Sequence, residues 1–232
     1  MSAGRHEHRG FEPAIPMTLP RLVLLTDRSQ LRLGRGLART VRECADAGLE
    51  AVVVREHDLE PARRRALVET LAGIDGLTVI SSRIPDPAAD GLHLASHQTA
   101  PTTTVTARTR APGGSLAHRR VGGRSDTRSL ETPWGRSCHS RDDVADAARE
   151  GASWVTLSPY AATISKPGHG PALPASAYAD HPVPVLALGG ITAGRAAGAV
   201  AAGAHGVAVM GAVMRAADPA GEVAALLREL RC

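Results

Sequence analysis

Aromatic side chains and lysine are nearly missing from this chain. Phe, Tyr and Trp together make up 2% of its 232 residues. A surface that stacks nucleobases needs several such rings, so single-stranded nucleic-acid binding is excluded as a main activity and no nucleic-acid partner is expected. Any core must be built from Ala, Val, Leu and Ile. That suits strands buried on both faces under helices of small residues. Cysteine is scarce as well. Cys44, Cys138 and Cys232 are odd in number and widely spaced, which fits neither a disulfide framework nor a zinc site. The pattern reads as a reduced, cytoplasmic protein. No run is apolar enough to cross a membrane, so no membrane partner is expected. Residues 1–20 lack the apolar centre of a signal peptide. Residues 1–19 read as a disordered extension, with Met17 a candidate start, and 20–232 as one domain.

The basic residues are arginine with one exception. Of 27 Lys plus Arg, Lys166 alone is lysine, inside the Pro/Gly-rich stretch "TISKPGHGP" at 163–171. Arginines cluster between Arg108 and Arg128, and the net charge is +4. This balance permits an anionic ligand without specifying one.

What the chain does have is a repeated alternation. Short apolar runs at 21–27, 50–56, 77–82, 90–96, 133–139, 153–159, 184–190 and 205–211 read as strands. Helical stretches follow most of them. One ends at Gly48. One is capped by Asp58 with Pro61 in its first turn. One opens on the capping-box pair Ser140 and Asp143. Thr192 and Asp218 cap two more. Residues 97–132 show no apolar period and read as an insertion. Eight strands alternating with helices predict an α/β fold, a single-domain (β/α)8 TIM barrel. A doubly wound open sheet is the runner-up, but no G-x-G-x-x-G follows the first strand.

In such a barrel the reactive groups gather at the C-terminal strand ends. Those ends carry Asp27, Arg55, Glu56, His57, Ser82, Ser137, His139 and Ser158. Gly189 and Gly190 after strand seven, with Met210 and Gly211 after strand eight, suit close backbone N–H approach to a phosphate. A plain tight turn is the other reading of the Gly pair. His139, between Ser137 and Ser140, is the best proton-transfer candidate, because imidazole titrates near neutral pH. It also reads as a local hydrogen-bond partner. Arg55 could grip a carboxylate or phosphate bidentately, or make an internal ion pair across the barrel mouth. His93 lies inside a strand pattern and reads as a satisfied core residue.

The segments "LVLLTD", "VVVRE", "DGLHL", "SCHS", "GASWVTLSPYAATISKPGHGP", "PVLALGGIT" and "AGAHGVAVMGAVM" occur in an order that resembles the thiamine-phosphate synthase superfamily, which includes the thiazole tautomerases. The resemblance spans about residues 20–225 apart from 97–132. It implies a TIM barrel and a phosphorylated thiazole-type ligand. It also implies ligand-binding roles for Arg55, Glu56, Ser137, Thr163, Ser165 and Lys166, and a phosphate site at Gly189, Gly190, Met210 and Gly211. The synthases of that superfamily use magnesium to join a pyrimidine pyrophosphate to a thiazole phosphate. Their two magnesium-binding Asp positions fall here on Ser82 and Gln98, and a pyrophosphate-contacting Lys falls on His57. Neither Ser nor Gln brings the negative charge magnesium needs. No metal and no cofactor are therefore expected. His139 matches the acid/base histidine of the tautomerase branch, so tautomerase-like proton transfer is the leading expectation. A divergent synthase and an inactive phosphate-binding barrel are the alternatives. A homo-oligomer is compatible with this reading.

Overall fold

The protein's structure, a computed structural model, describes residues 19–101, 132–162 and 171–231. The N-terminal extension through residue 18 and the insertion between 102 and 131 lie outside the described residues. So do Thr163, Ser165 and Lys166.

Eight parallel strands form a closed barrel in chain order. They are β1 (Leu22–Leu25), β2 (Ala51–Val54), β3 (Thr78–Ser82), β4 (Gly91–Leu94), β5 (Trp134–Cys138), β6 (Trp154–Leu157), β7 (Val185–Leu188) and β8 (Gly206–Val209). Pairing of Leu22, Val23 and Leu24 with Val207, Ala208 and Val209 closes the ring and rules out the open sheet. The described helices are α1 (Leu37–Asp46), α2 (Pro61–Ala72), α3 (Arg141–Arg149), α4 (Ala193–Ala201), α5 (Gly211–Met214) and α6 (Pro219–Glu229). No helix among the described residues is long and apolar enough to cross a membrane.

Local chemistry sets the helix ends. Ser140 Oγ accepts the Asp143 N–H at 3.1 Å while Asp143 Oδ2 accepts the Ser140 N–H at 3.0 Å, the expected capping box of α3. The start of α2 differs from expectation. Glu60, not Asp58, is its cap, accepting the N–H groups of Ala62 and Arg63 at 3.1 and 3.2 Å. The reason is Pro61, whose fixed φ and missing N–H make it the first helical residue, so the residue just before it must cap. Asp58 instead pairs with Arg28 at 2.6 Å. Thr192 precedes α4 but makes no side-chain cap bond.

The period-two alternation of strands divides the core. Leu22, Leu24, Val52 and Val54 pack in one buried cluster with the helix residues Val41 and Val68. Their neighbours Val23, Leu25, Ala51 and Val53 pack in a second cluster with Ile80 and Trp154. The first cluster is the strand–helix layer and the second fills the barrel axis. On the outer face of β5, Arg136 pairs with Glu150 at 2.7 Å and lies over the Trp134 ring, tying α3 to the strand.

Trp154 is the largest plug on the axis and is 1% exposed. It fits because Gly135 faces it on β5. A Cβ at Gly135 would sit 2.3 Å from the Trp154 ring, in a strand position where neither atom set can retreat. Gly135→Ala is therefore expected to destabilise the barrel by about 1–3 kcal/mol through overpacking. Urea unfolding measures this, and combining it with Trp154→Phe, which trades the indole for a smaller ring, should restore part of the loss.

Candidate functional site

A cavity of about 580 Å³ opens at the C-terminal ends of the strands. Leu25, Val53, Leu188 and Ala208 give it an apolar floor, continuous with the axial cluster. Its walls are polar because alternation carries past the strand ends. Arg55 lies two residues beyond inward-facing Val53, and Ser82 two beyond Ile80. Ser137 and His139 continue from Gly135, and Ser158 continues from Trp154. All five line the cavity.

Glu56, expected to touch ligand, falls on the other parity and is not among the lining residues. Its carboxylate is buried and accepts the backbone N–H of Arg28 at 3.1 Å and Arg28 Nη1 at 2.9 Å. The ion pair of Glu56 is thus made with Arg28. Arg55 reaches across the mouth to the Met210 sulfur. Among the described residues, no carboxylate lies within ion-pair distance of Arg55.

His139 is placed by the α3 capping box. Its backbone N–H donates to Asp143 Oδ2 at 2.8 Å, so one carboxylate fixes both the helix start and the residue before it. The ring Nδ1 lies 3.1 Å from the Ser158 carbonyl oxygen and 3.2 Å from its hydroxyl. A carbonyl can only accept, so Nδ1 carries the proton and the lone pair of the neutral ring sits on Nε2. Neighbouring Cys138 has the opposite parity. It is buried, and burial pushes its thiol up to about 12, which removes it as a nucleophile at neutral pH.

The glycine loops stand on the β7–β8 side of the mouth. Gly190 has φ +64, and a Cβ there would meet the Ala162 and Ala161 carbonyl oxygens at 2.6 and 2.8 Å. Both the left-handed backbone and the close approach require glycine. Tyr160 N–H donates to the Leu188 oxygen at 2.8 Å, and Ala161 N–H to the Gly189 oxygen at 3.0 Å, so the segment after β6 docks on this turn. Gly189, Gly190, Met210 and Gly211 all line the cavity.

Sequence reasoning missed two arginines here. Arg195, in the first turn of α4, donates to the Gly190 carbonyl at 2.7 Å, and Arg215, just past α5, bonds Gln30. Both line the cavity beside the glycines. Their signal was position: each lies within five residues after a glycine-bearing strand end. Asp27 is the single carboxylate among the described lining residues. Partial burial pushes its pKa up, but hydrogen bonds from Ser29 and Gln30 and the nearby Arg55 charge outweigh this and hold it below the ordinary value.

His93 is both core and site. It is 4% exposed, lines the cavity, and its Nε2 lies 3.3 Å from Thr156 Oγ1 on β6. Burial, with Arg55 and Arg83 nearby, pulls its pKa down to about 4, so it is neutral at physiological pH. In the unfolded chain the ring titrates near 6.5. Between these values the unfolded state binds the extra proton, so stability falls as pH drops from 6.5 toward 4. Urea unfolding at about pH 7.5 and about pH 5 is expected to show this loss, and His93→Gln should flatten it by a few kcal/mol at most.

The comparisons agree with this geometry. The family described as thiamine monophosphate synthase (TMP-TENI) matches residues 131–213. Over 224 residues the chain is 32% identical to the thiamine-phosphate synthase of Methanoculleus marisnigri, covering 90% of this chain and 93% of that protein. It is 42% identical over 100 residues to the thiamine-phosphate synthase of Salinispora tropica, covering 41% and 48%. Among solved structures, a thiamine phosphate pyrophosphorylase from Pyrococcus furiosus superposes with a TM-score of 0.71 at 19% identity, covering 91% of this chain and 95% of that one. That last likeness is one of fold. With near-full-length identity of this order on a closed eight-stranded barrel, the chain belongs to the thiamine-phosphate synthase family.

Proposed function

We propose that this barrel binds a thiazole phosphate and catalyses a tautomerase-like proton transfer on its ring. The observation that carries the reading is His139, a cavity-lining imidazole whose Nδ1 faces the Ser158 carbonyl at 3.1 Å and whose Nε2 would act as the base. The phosphate would sit at Gly189, Gly190, Met210 and Gly211, with Arg195 and Arg215 beside it. The reaction needs no redox change and no leaving group. Nε2 takes a proton from a ring carbon of the non-aromatic tautomer, and the imidazolium returns one at another ring position. Composition is unchanged and aromaticity supplies the driving force. The apolar floor holds the ring and limits water at the reacting carbon. The resemblance also assigns Thr163, Ser165 and Lys166 to the ligand, and they lie outside the described residues.

The names of the full-length relatives favour a second reading, transfer of a pyrimidine from its pyrophosphate to the thiazole phosphate. The resemblance assigns magnesium to that reaction. The donor set does not fit a hard divalent ion. Ser82 and Gln98 stand at the two carboxylate positions, and no group of three His, Cys, Asp or Glu residues converges among the described residues. Asp27, the remaining carboxylate of the lining, is engaged by Ser29 and Gln30 at 2.6 Å each. The comparisons weigh for the synthase and the side chains weigh for proton transfer. Reaction chemistry resides in the site, and the side chains there are what support the proton-transfer reading.

Isomerisation of a carboxythiazole phosphate, followed by NMR, is expected for the wild type. His139→Ala should slow it roughly 10²–10⁴-fold. Equal rates for the two proteins would remove the mechanism. Pyrophosphate release from a pyrimidine pyrophosphate plus thiazole phosphate is the matching assay for the synthase, and its appearance with magnesium would reverse the ranking.

A further inference from the structure

The turn after β1 is anchored on both sides. On its outer side Arg28 pairs with Glu56 at 2.9 Å and with Asp58 at 2.6 Å. On its inner side Asp27 Oδ1 accepts the Ser29 hydroxyl and Asp27 Oδ2 accepts Gln30 Nε2, each at 2.6 Å. Strand β1 neighbours β8 in the ring, so this turn stands beside the loop after β8. There Gln30 Oε1 accepts a hydrogen bond from Arg215 Nη1. Asp27, Gln30, Gly211 and Arg215 all line the cavity.

The partners of the Gln30 amide fix which way it points. Asp27, with a pKa below the ordinary carboxylate value, is ionised at neutral pH and can only accept, while a guanidinium can only donate. The amide joins the two because it donates at one end and accepts at the other. Its oxygen bears no net charge, so this contact aims the Arg215 guanidinium and leaves its positive charge in place. A carboxylate in the place of the amide would be repelled by Asp27 and would cancel that charge. Gly211 supplies the other half of the arrangement. A Cβ there would overlap Nη1, Nη2 and Cζ of Arg215, so the guanidinium lies where the side chain of residue 211 would otherwise be. Gly211 is not one of the left-handed glycines, so the structure uses its missing side chain and not its backbone freedom.

We infer that Gln30 is a positioning residue that aims Arg215 at the ligand phosphate, and that residue 211 is glycine to admit this guanidinium rather than to expose its own N–H. The ligand group is a phosphate monoester, whose oxygens match the planar fork of a guanidinium. The inference rests on the proposed function, in which a phosphate sits at the β7 and β8 loops.

Calorimetric titration of the full chain with a thiazole phosphate tests this, alongside urea unfolding of each variant. Arg215→Ala should weaken binding about tenfold or more. Gly211→Ala keeps every backbone N–H and displaces only the flexible end of Arg215. It should weaken binding by a similar factor with no loss of stability. Gln30→Leu should weaken binding less, and should add nothing in an Arg215→Ala background, whereas a merely structural role for Gln30 would add its loss there too. Unchanged affinity in Arg215→Ala or Gly211→Ala, or additive losses in the Gln30→Leu/Arg215→Ala double variant, overturns the inference. So does a wild type that binds no thiazole phosphate. Binding that depends on Arg215 in a protein that isomerises nothing would sink the His139 chemistry and leave this arrangement standing.

Discussion

The hydrogen bonds that pair β8 with β1 fix more than the outline of the barrel. Once the ladder closes, each strand has one face on the axis and one on the helices, with no edge where a slip in register could be absorbed. A one-residue shift of β2 would exchange Val53 for Val52 on the axis, and Arg55 for Glu56 at the mouth. The apolar core and the polar cavity are therefore two readings of the same alternation. Below, inward positions carry Val23, Ala51, Ile80 and Trp154. Above, the same parity carries Arg55, Ser82, Ser137 and His139.

That constraint explains what was legible in the sequence. Eight apolar runs and their helices were readable, because burial on both faces leaves a continuous Val/Ile/Leu signal. The capping box at Ser140 was readable because its chemistry is local. His139, Arg55 and the glycine loops came from their place after the strands. Glu56, given a ligand role by the resemblance, has the opposite parity to Arg55 and does not line the cavity, and its partner Arg28 lies 28 residues away in sequence. The α2 cap was misread for a different reason. Asp58 is the commoner capping residue type, but Pro61 fixes the helix start and leaves Glu60 in the capping position.

The remaining site residues needed three dimensions. Arg195 sits in α4 and Arg215 just past α5, and the two share only the cavity. Gln98 bonds a carbonyl 15 residues earlier, and no pattern of residue types announces a left-handed arginine at 83. His93 looked like a core residue and is one. Its second role follows from standing at the level where the packed axis gives way to the cavity. The site that results is strongly cationic, with Arg55, Arg83, Arg195 and Arg215 facing a single carboxylate among the described lining residues. A guanidinium keeps its charge at every physiological pH, so anion attraction here does not depend on protonation.

The Trp154 plug has one more implication. The indole, with Val23 and Ile80 around it, seals the axis at 0–1% exposure, so the barrel is a blind well rather than a tunnel. Access to the cavity is therefore from the mouth at the C-terminal strand ends, so the packed end of the barrel sets the side from which any ligand must approach.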